Sequence, residues 1–157
     1  MKRILLCLSL AVLLAGCDKS FDVTDNNVTI PCKDVVLRVQ VVSSYIVRVS
    51  ALPDGKFVER QSLAVVPQKH FRHFKVSEWG DLVRIKTDDL TVEVNQAKGT
   101  LRFLDVEGFP LAEECRFSFT PIEVEGKKAW SVRTQFNSSP DESFYGLGQH
   151  QSGEFDH

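Results

Sequence analysis

Residues 35–50 read VVLRVQVVSSYIVRVS, and their period of two decides the fold class. Val35, Leu37, Val39 and Val41 alternate with Val36, Arg38, Gln40 and Val42. After Ser43-Ser44, Tyr45, Val47 and Val49 alternate with Ile46, Arg48 and Ser50. Successive side chains of an extended chain point to opposite faces, so this pattern predicts two strands in a hairpin-like arrangement, each with one buried face.

The same signal repeats outward from that hairpin. Pro53-Asp54-Gly55 is a turn, and strands are predicted over Leu82–Lys86, Leu90–Val94, Thr100–Leu104, Arg116–Thr120 and Trp130–Phe136. Breakers separate them: Trp79-Gly80-Asp81, Asp88-Asp89, Asn95 to Gly99, Glu107-Gly108 and Glu125-Gly126. No stretch after residue 17 carries a helical stripe, and there is neither a fixed-period repeat nor a low-complexity tract. Short, evenly spaced strands divided by turn residues imply an all-β protein, an antiparallel sandwich rather than a parallel α/β sheet.

The amino terminus has a different grammar. Lys2 and Arg3 precede the apolar run Ile4 to Ala15, and Leu14-Ala15-Gly16-Cys17 closes it as a small-residue cleavage site ending on cysteine. This is the pattern of a bacterial lipoprotein signal peptide over residues 1–16, with Cys17 the lipidated residue. As a helix the apolar run rises only about 18 Å, short of the roughly 30 Å hydrocarbon core, so it does not read as a permanent membrane span. Acyl chains on Cys17 would hold the body at the cell envelope, facing the periplasm or on the outer membrane, at about 0.8 kcal/mol per buried methylene. Residues 17–27 read as a short polar tether and residues 28–157 as the sandwich.

Composition narrows the partners. The 19 basic groups against 21 acidic ones leave a formal charge of −2. Nucleic acid and anionic surfaces are disfavoured and a neutral substrate is favoured. With Cys7 in the signal and Cys17 claimed by lipid, Cys32 and Cys115 remain. An oxidising envelope permits their pairing, and two buried unpaired thiols are the alternative.

Several polar groups invite chemistry and have simpler readings. His70-x-x-His73 is half of a metal site without its other half, and reads as a solvated strand edge beside Arg72 and Lys75. No metal and no cofactor are expected. Gly146-x-Gly148 lacks the third glycine and following helix of a dinucleotide loop. Asp88-Asp89 and Asp141-Glu142 read as solvated acids bounding strands. Trp79 and Trp130 could stack on a sugar ring, but in a sandwich they read as core.

The final run, SFYGLGQHQSGEFDH over residues 143–157, turns from strand grammar into a polar loop. Gln149, His150 and Gln151 offer the directional hydrogen bonds that read sugar hydroxyls, and they are the candidate substrate-binding residues.

Taken with Asp88-Asp89-Leu90-Thr91-Val92-Glu93-Val94, Gly99 to Asp105 and Glu107-Gly108-Phe109-Pro110-Leu111, the run Phe144-Tyr145-Gly146-Leu147-Gly148-Gln149-His150-Gln151 resembles the N-terminal part of glycoside hydrolase family 31. That family contains α-glucosidases and α-xylosidases. Gln149 stands where many of its α-glucosidases carry glutamate, and Gln-His-Gln is similar to the bacterial α-xylosidase-like members. The resemblance implies a galactose-mutarotase-like β-sandwich, a substrate that is an α-linked oligosaccharide or plant polysaccharide fragment, and catalytic aspartates supplied by a separate (β/α)8 barrel. Such a barrel takes roughly 200 residues or more. The chain therefore reads as a non-catalytic, incomplete N-terminal domain of an α-glycosidase without its catalytic barrel, inactive by itself. A stand-alone lipid-anchored sugar-binding or scaffold module is the alternative.

Overall fold

The computed structural model describes residues 20–58, 63–66 and 70–145. Among these there are ten strands and no helix: β1 (Asp22–Thr24), β2 (Asn27–Pro31), β3 (Val36–Val41), β4 (Val47–Leu52), β5 (Lys75–Trp79), β6 (Leu82–Lys86), β7 (Thr91–Asn95), β8 (Thr100–Leu104), β9 (Pro110–Val124) and β10 (Lys127–Phe136). They form a four-stranded sheet in the order β1-β2-β3-β4 and a six-stranded sheet in the order β10-β9-β8-β7-β6-β5. Every pairing is antiparallel between sequence neighbours, so both sheets are meanders.

The alternation read from the sequence sets the register. Val28 and Ile30 lie opposite Val39 and Leu37, which in turn face Val49 and Ala51. In the second sheet Val83 and Ile85 lie opposite Val94 and Val92, followed by Leu101 and Phe103. These inward rows meet in one aliphatic cluster that contains Val28, Ile30, Leu37, Val39, Val83, Ile85, Val92 and Val94. Each such side chain contributes about 1.5–3 kcal/mol when fully buried.

Polar side chains tie the sheets together at both ends. The Thr87 hydroxyl donates to the Ser44 carbonyl across the sandwich, and it accepts from Leu90 N–H at 2.9 Å to close the turn between β6 and β7. At the opposite end the Gln96 amide donates to the Pro31 carbonyl at 3.1 Å, while Lys33 N–H donates to the Gln96 carbonyl at 3.0 Å. Gly99 is required there: its φ is +68°, and a Cβ would sit 3.1 Å from Val35 Cγ1.

Three sequence expectations are corrected. Asp22 to Asn27, read as tether, form a hairpin, because β1 pairs with β2 around a tight turn and Asn26 is buried with its amide donating to the Val41 carbonyl at 2.8 Å. Tyr45 and Ile46, read as strand, lie in a turn in which Val42 and Ser43 N–H groups donate to the Ile46 carbonyl, leaving Tyr45 exposed. Neither tryptophan is core: Trp79 is 89% exposed and Trp130 50%. Trp79 ends an edge strand on its outer face, and Trp130 lies on β10 against Phe119, beyond the stretch of β9 that pairs with β8.

Candidate functional site

The outward rows of the six-stranded sheet carry its chemistry. Arg84, Glu93, Arg102 and Glu113 lie opposite one another on β6, β7, β8 and β9. The Arg84 guanidinium forks onto Glu93 Oε1, with Nη2 at 2.6 Å and Nε at 3.0 Å. Arg102 Nη1 approaches Glu93 Oε2 at 3.5 Å, and its Nε stands 3.4 Å from Glu113 Oε1. The result is a ladder of alternating charge with the almost fully buried Glu93 at its centre, 6% exposed against 51% and 44% for the arginines. Opposite charges facing across strands are worth roughly 0.2–1 kcal/mol each, and they hold these long side chains in fixed rotamers.

Beside the ladder, the row Leu82, Asn95 and Thr100 forms the floor of a cleft of about 340 Å³, with Lys98, Arg102, Glu113, Cys115 and Asn137 at its walls. The cleft exists because β9 departs from β8. Pairing holds from Pro110 to Glu113, and beyond it Leu101 N–H is met by the Glu114 carboxylate at 3.2 Å in place of a strand carbonyl. The other Glu114 oxygen accepts from Thr134 Oγ1 at 2.5 Å. Glu114 thus plugs a gap in the ladder of backbone hydrogen bonds.

Burial raises the Glu114 carboxyl above the ordinary carboxylate value, and the bonds from Thr134 and Leu101 oppose that shift. The folded state then binds this proton more tightly than the unfolded chain. Its contribution to stability is present below the ordinary carboxylate range and is lost as pH rises through that range toward the raised value. Glu114→Gln should abolish this component and stay close to the parent in stability, since its amide can accept from Leu101 and donate to Thr134. Glu114→Ala should cost about 1–3 kcal/mol by orphaning a buried N–H. Urea denaturation across the acid range checks both; a Glu114→Ala variant as stable as Glu114→Gln would remove this role.

Among the described residues, β9 past Glu113 pairs with β10 alone, and the two form a ribbon turned by Glu125 and Gly126, with φ of 49° and 75°. Left-handed conformation at both turn residues matches the twist of a two-residue hairpin. At its base Phe117 and Phe119 pack edge to face at 5.1 Å, and Phe119 meets Trp130 at 5.9 Å. Ile122, Val124, Trp130 and Val132 stay largely exposed along the ribbon.

The remaining candidates are dispersed. His70 Nδ1 lies 3.7 Å from Asp25, which also accepts from Arg72 at 3.0 Å, while His73 packs against Phe71. Among the described residues no group of three or more His, Cys, Asp or Glu could hold a metal ion. Asp88 and Asp89 occupy the turn closed by Thr87, and Asp141 and Glu142 a turn bonded to Ser139. Cys32 and Cys115 are both free; burial pushes the Cys32 thiol up to about 11, and Cys115 is exposed. Gln149, His150, Gln151 and Cys17 lie outside the described residues. The cleft escaped the sequence reading because it arises where two strands part, and no local pattern marks that point.

Two antiparallel meanders closed over one aliphatic core, with a polar outer face, define a galactose-mutarotase-like sandwich. Residues 36–157 match the glycosyl hydrolase 31 N-terminal galactose mutarotase-like domain, and the chain belongs to that family. Among solved structures it is similar to a GH31 α-xylosidase from Xanthomonas citri, at 41% identity and a TM-score of 0.75, over 85% of this chain and 15% of that one. A GH31 α-xylosidase from a soil metagenome, complexed with xylose, shares 25% identity over 88% of this chain and 23% of its own, with a TM-score of 0.67. A GH31 dextranase from Flavobacterium johnsoniae, complexed with glucose, shares 28% identity over 88% of this chain and 17% of its own, with a TM-score of 0.65. The chain therefore spans less than a quarter of the length of these relatives.

Proposed function

We propose that this chain is the non-catalytic N-terminal domain of a family 31 glycoside hydrolase that cleaves α-glycosidic bonds, with an α-xylosylated oligosaccharide as its substrate. The observation that carries this reading is the 41% identity to an α-xylosidase across 85% of the chain, together with the small share of that enzyme it spans. Retaining hydrolysis needs two carboxyl groups about 5 Å apart with the scissile bond between them. Glu93 is committed to two arginines and Glu114 to a backbone amide and a hydroxyl, so neither is free to attack or to protonate a glycosidic oxygen. The domain's part is to support the sugar pocket of a catalytic barrel, with Gln149, His150 and Gln151 as polar contacts to the sugar.

The test is turnover of 4-nitrophenyl α-xyloside and α-glucoside. Residues 17–157 alone should release no nitrophenol, and the product of a reading frame continued through a barrel should release it from the xyloside faster. Turnover by this chain alone, abolished by replacing one of its own carboxylates, would overturn the reading. In the continued product Gln149→Ala and His150→Ala should each weaken sugar binding by about 1–3 kcal/mol, measured by calorimetry.

We further propose that the domain is held at the cell envelope through lipid on Cys17, on the strength of the Lys2-Arg3, Ile4 to Ala15 and Leu14-Ala15-Gly16-Cys17 pattern. Radiolabelled palmitate should enter the parent and be lost in Cys17→Ser; equal labelling of both would sink the anchor.

A further inference from the structure

A single row of facing residues crosses the outer face of the six-stranded sheet, from Trp79 on β5 through Leu82 and Asn95 to Thr100. Trp79 is 89% exposed, and the other three residues line the cleft. With neighbouring strands about 4.8 Å apart, Trp79 stands roughly 10 Å from Asn95 along this row, a span that a disaccharide bridges. One end therefore presents a flat apolar ring and the other a concentration of amide, hydroxyl and ammonium groups. A pyranose has the complementary pair of surfaces, an apolar C–H face and a rim of hydroxyls.

The adjoining ladder sharpens the choice of ligand. Counting the ladder and the cleft together, the cations Arg84, Lys98 and Arg102 are matched by the acids Glu93, Glu113 and Glu114, so this part of the face has no excess cation for a phosphate or carboxylate ligand. Of the residues beside the ladder, Asn95 is already held, its Oδ1 accepting from Lys98 N–H at 3.0 Å, so its ordering on ligand binding costs little.

We infer that this outer face binds a neutral oligosaccharide of pyranose units, with Trp79 as the stacking platform and Asn95, Lys98, Thr100 and Asn137 as readers of hydroxyl groups. It is built from residues other than Gln149, His150 and Gln151, and it rests on the family 31 reading only for the class of ligand. Its place is that of a surface that retains a polymeric substrate near the enzyme rather than one that cleaves it.

Calorimetric titration of the full chain with isomaltotriose and with an α-xylosylated gluco-oligosaccharide tests the inference, using Trp79→Ala, Asn95→Ala and the pair Gln149→Ala and His150→Ala. Saturable binding of at least one sugar is expected. Trp79→Ala should weaken it about fivefold to tenfold with no change in melting temperature, the ring being exposed. Binding that survives both Trp79→Ala and Asn95→Ala overturns the inference, as does the absence of saturable binding to the parent. Loss confined to the Gln149 and His150 variants also overturns it while leaving the proposed function intact. Loss confined to Trp79 and Asn95 upholds it whatever the outcome of the turnover assay.

Discussion

Replacing Arg84 and Arg102 together by methionine is expected to destabilise the domain by about 3–5 kcal/mol, because it strands a buried charge. The Glu93 carboxylate is 6% exposed and meets Arg84 at 2.6 Å and Arg102 at 3.5 Å. Water reaches the half-exposed guanidinium groups, so losing Glu93 would cost them little; losing them leaves Glu93 without compensation. The asymmetry gives a rescue. Adding Glu93→Gln to the double variant removes the stranded charge and should recover most of the loss. A domain of this size has roughly 5–15 kcal/mol in total, so the double variant should be near its unfolding midpoint in low denaturant. Guanidinium titrations followed by circular dichroism decide the matter. Should the double variant match the parent, or the triple variant fall below the double, the ladder would be ornamental to stability.

Leu37→Ala should be comparably severe, costing about 2–5 kcal/mol. Leu37 is 1% exposed, lies between Ile30 and Ala51 in its sheet, and belongs to the cluster that joins the two sheets. Truncating it removes apolar burial and leaves a cavity that neighbours on short, paired strands fill only by bending the sheet. One residue along, Arg38 points to the other face and stacks over Phe57 at 4.5 Å. Arg38→Ala leaves no cavity in the core and should therefore cost less, about 1–2 kcal/mol, the range of a half-buried cation–π contact. Equal losses at positions 37 and 38 would mean that the register of β3 differs from the one described.

The strands that read most plainly in the sequence are those with a strict apolar alternation. Leu82–Lys86 and Thr100–Leu104 coincide with β6 and β8, and Val36 to Val41 fall within the strand predicted there. β2 was absorbed into polar surroundings: Val28 and Ile30 alternate, but Asp25, Asn26 and Asn27 before them look solvated. The buried Asn26 amide satisfies the Val41 carbonyl, a partner fifteen residues away that composition does not announce. β5 was missed for a different reason. As an edge strand it turns only Val76 toward the core and leaves Lys75, Ser77, Glu78 and Trp79 in solvent, which is too faint a period to read. β9 and β10 extend to Val124 and Lys127 because hairpin pairing carries them past the point where any core supports them.

The candidate site divides along the same line. The run from Phe144 to Gln151 is legible because its residue types and order are distinctive in themselves. Trp79, Asn95 and Thr100 are separated by up to 21 positions in the chain and become neighbours only through three successive pairings.

The sequence by itself determined that the chain is built of strands, which residues of a strand share a face, and which family it joins, because side-chain alternation and turn chemistry are properties of a few consecutive residues. Only the tertiary structure decided which strands stand at the edges, where β9 parts from β8, that Glu93 is buried between two arginines, and that Trp79 faces solvent instead of the core. Those outcomes depend on which distant strand lies alongside and whether another layer covers it. The free energy of burial is settled across the whole sheet rather than within any one segment.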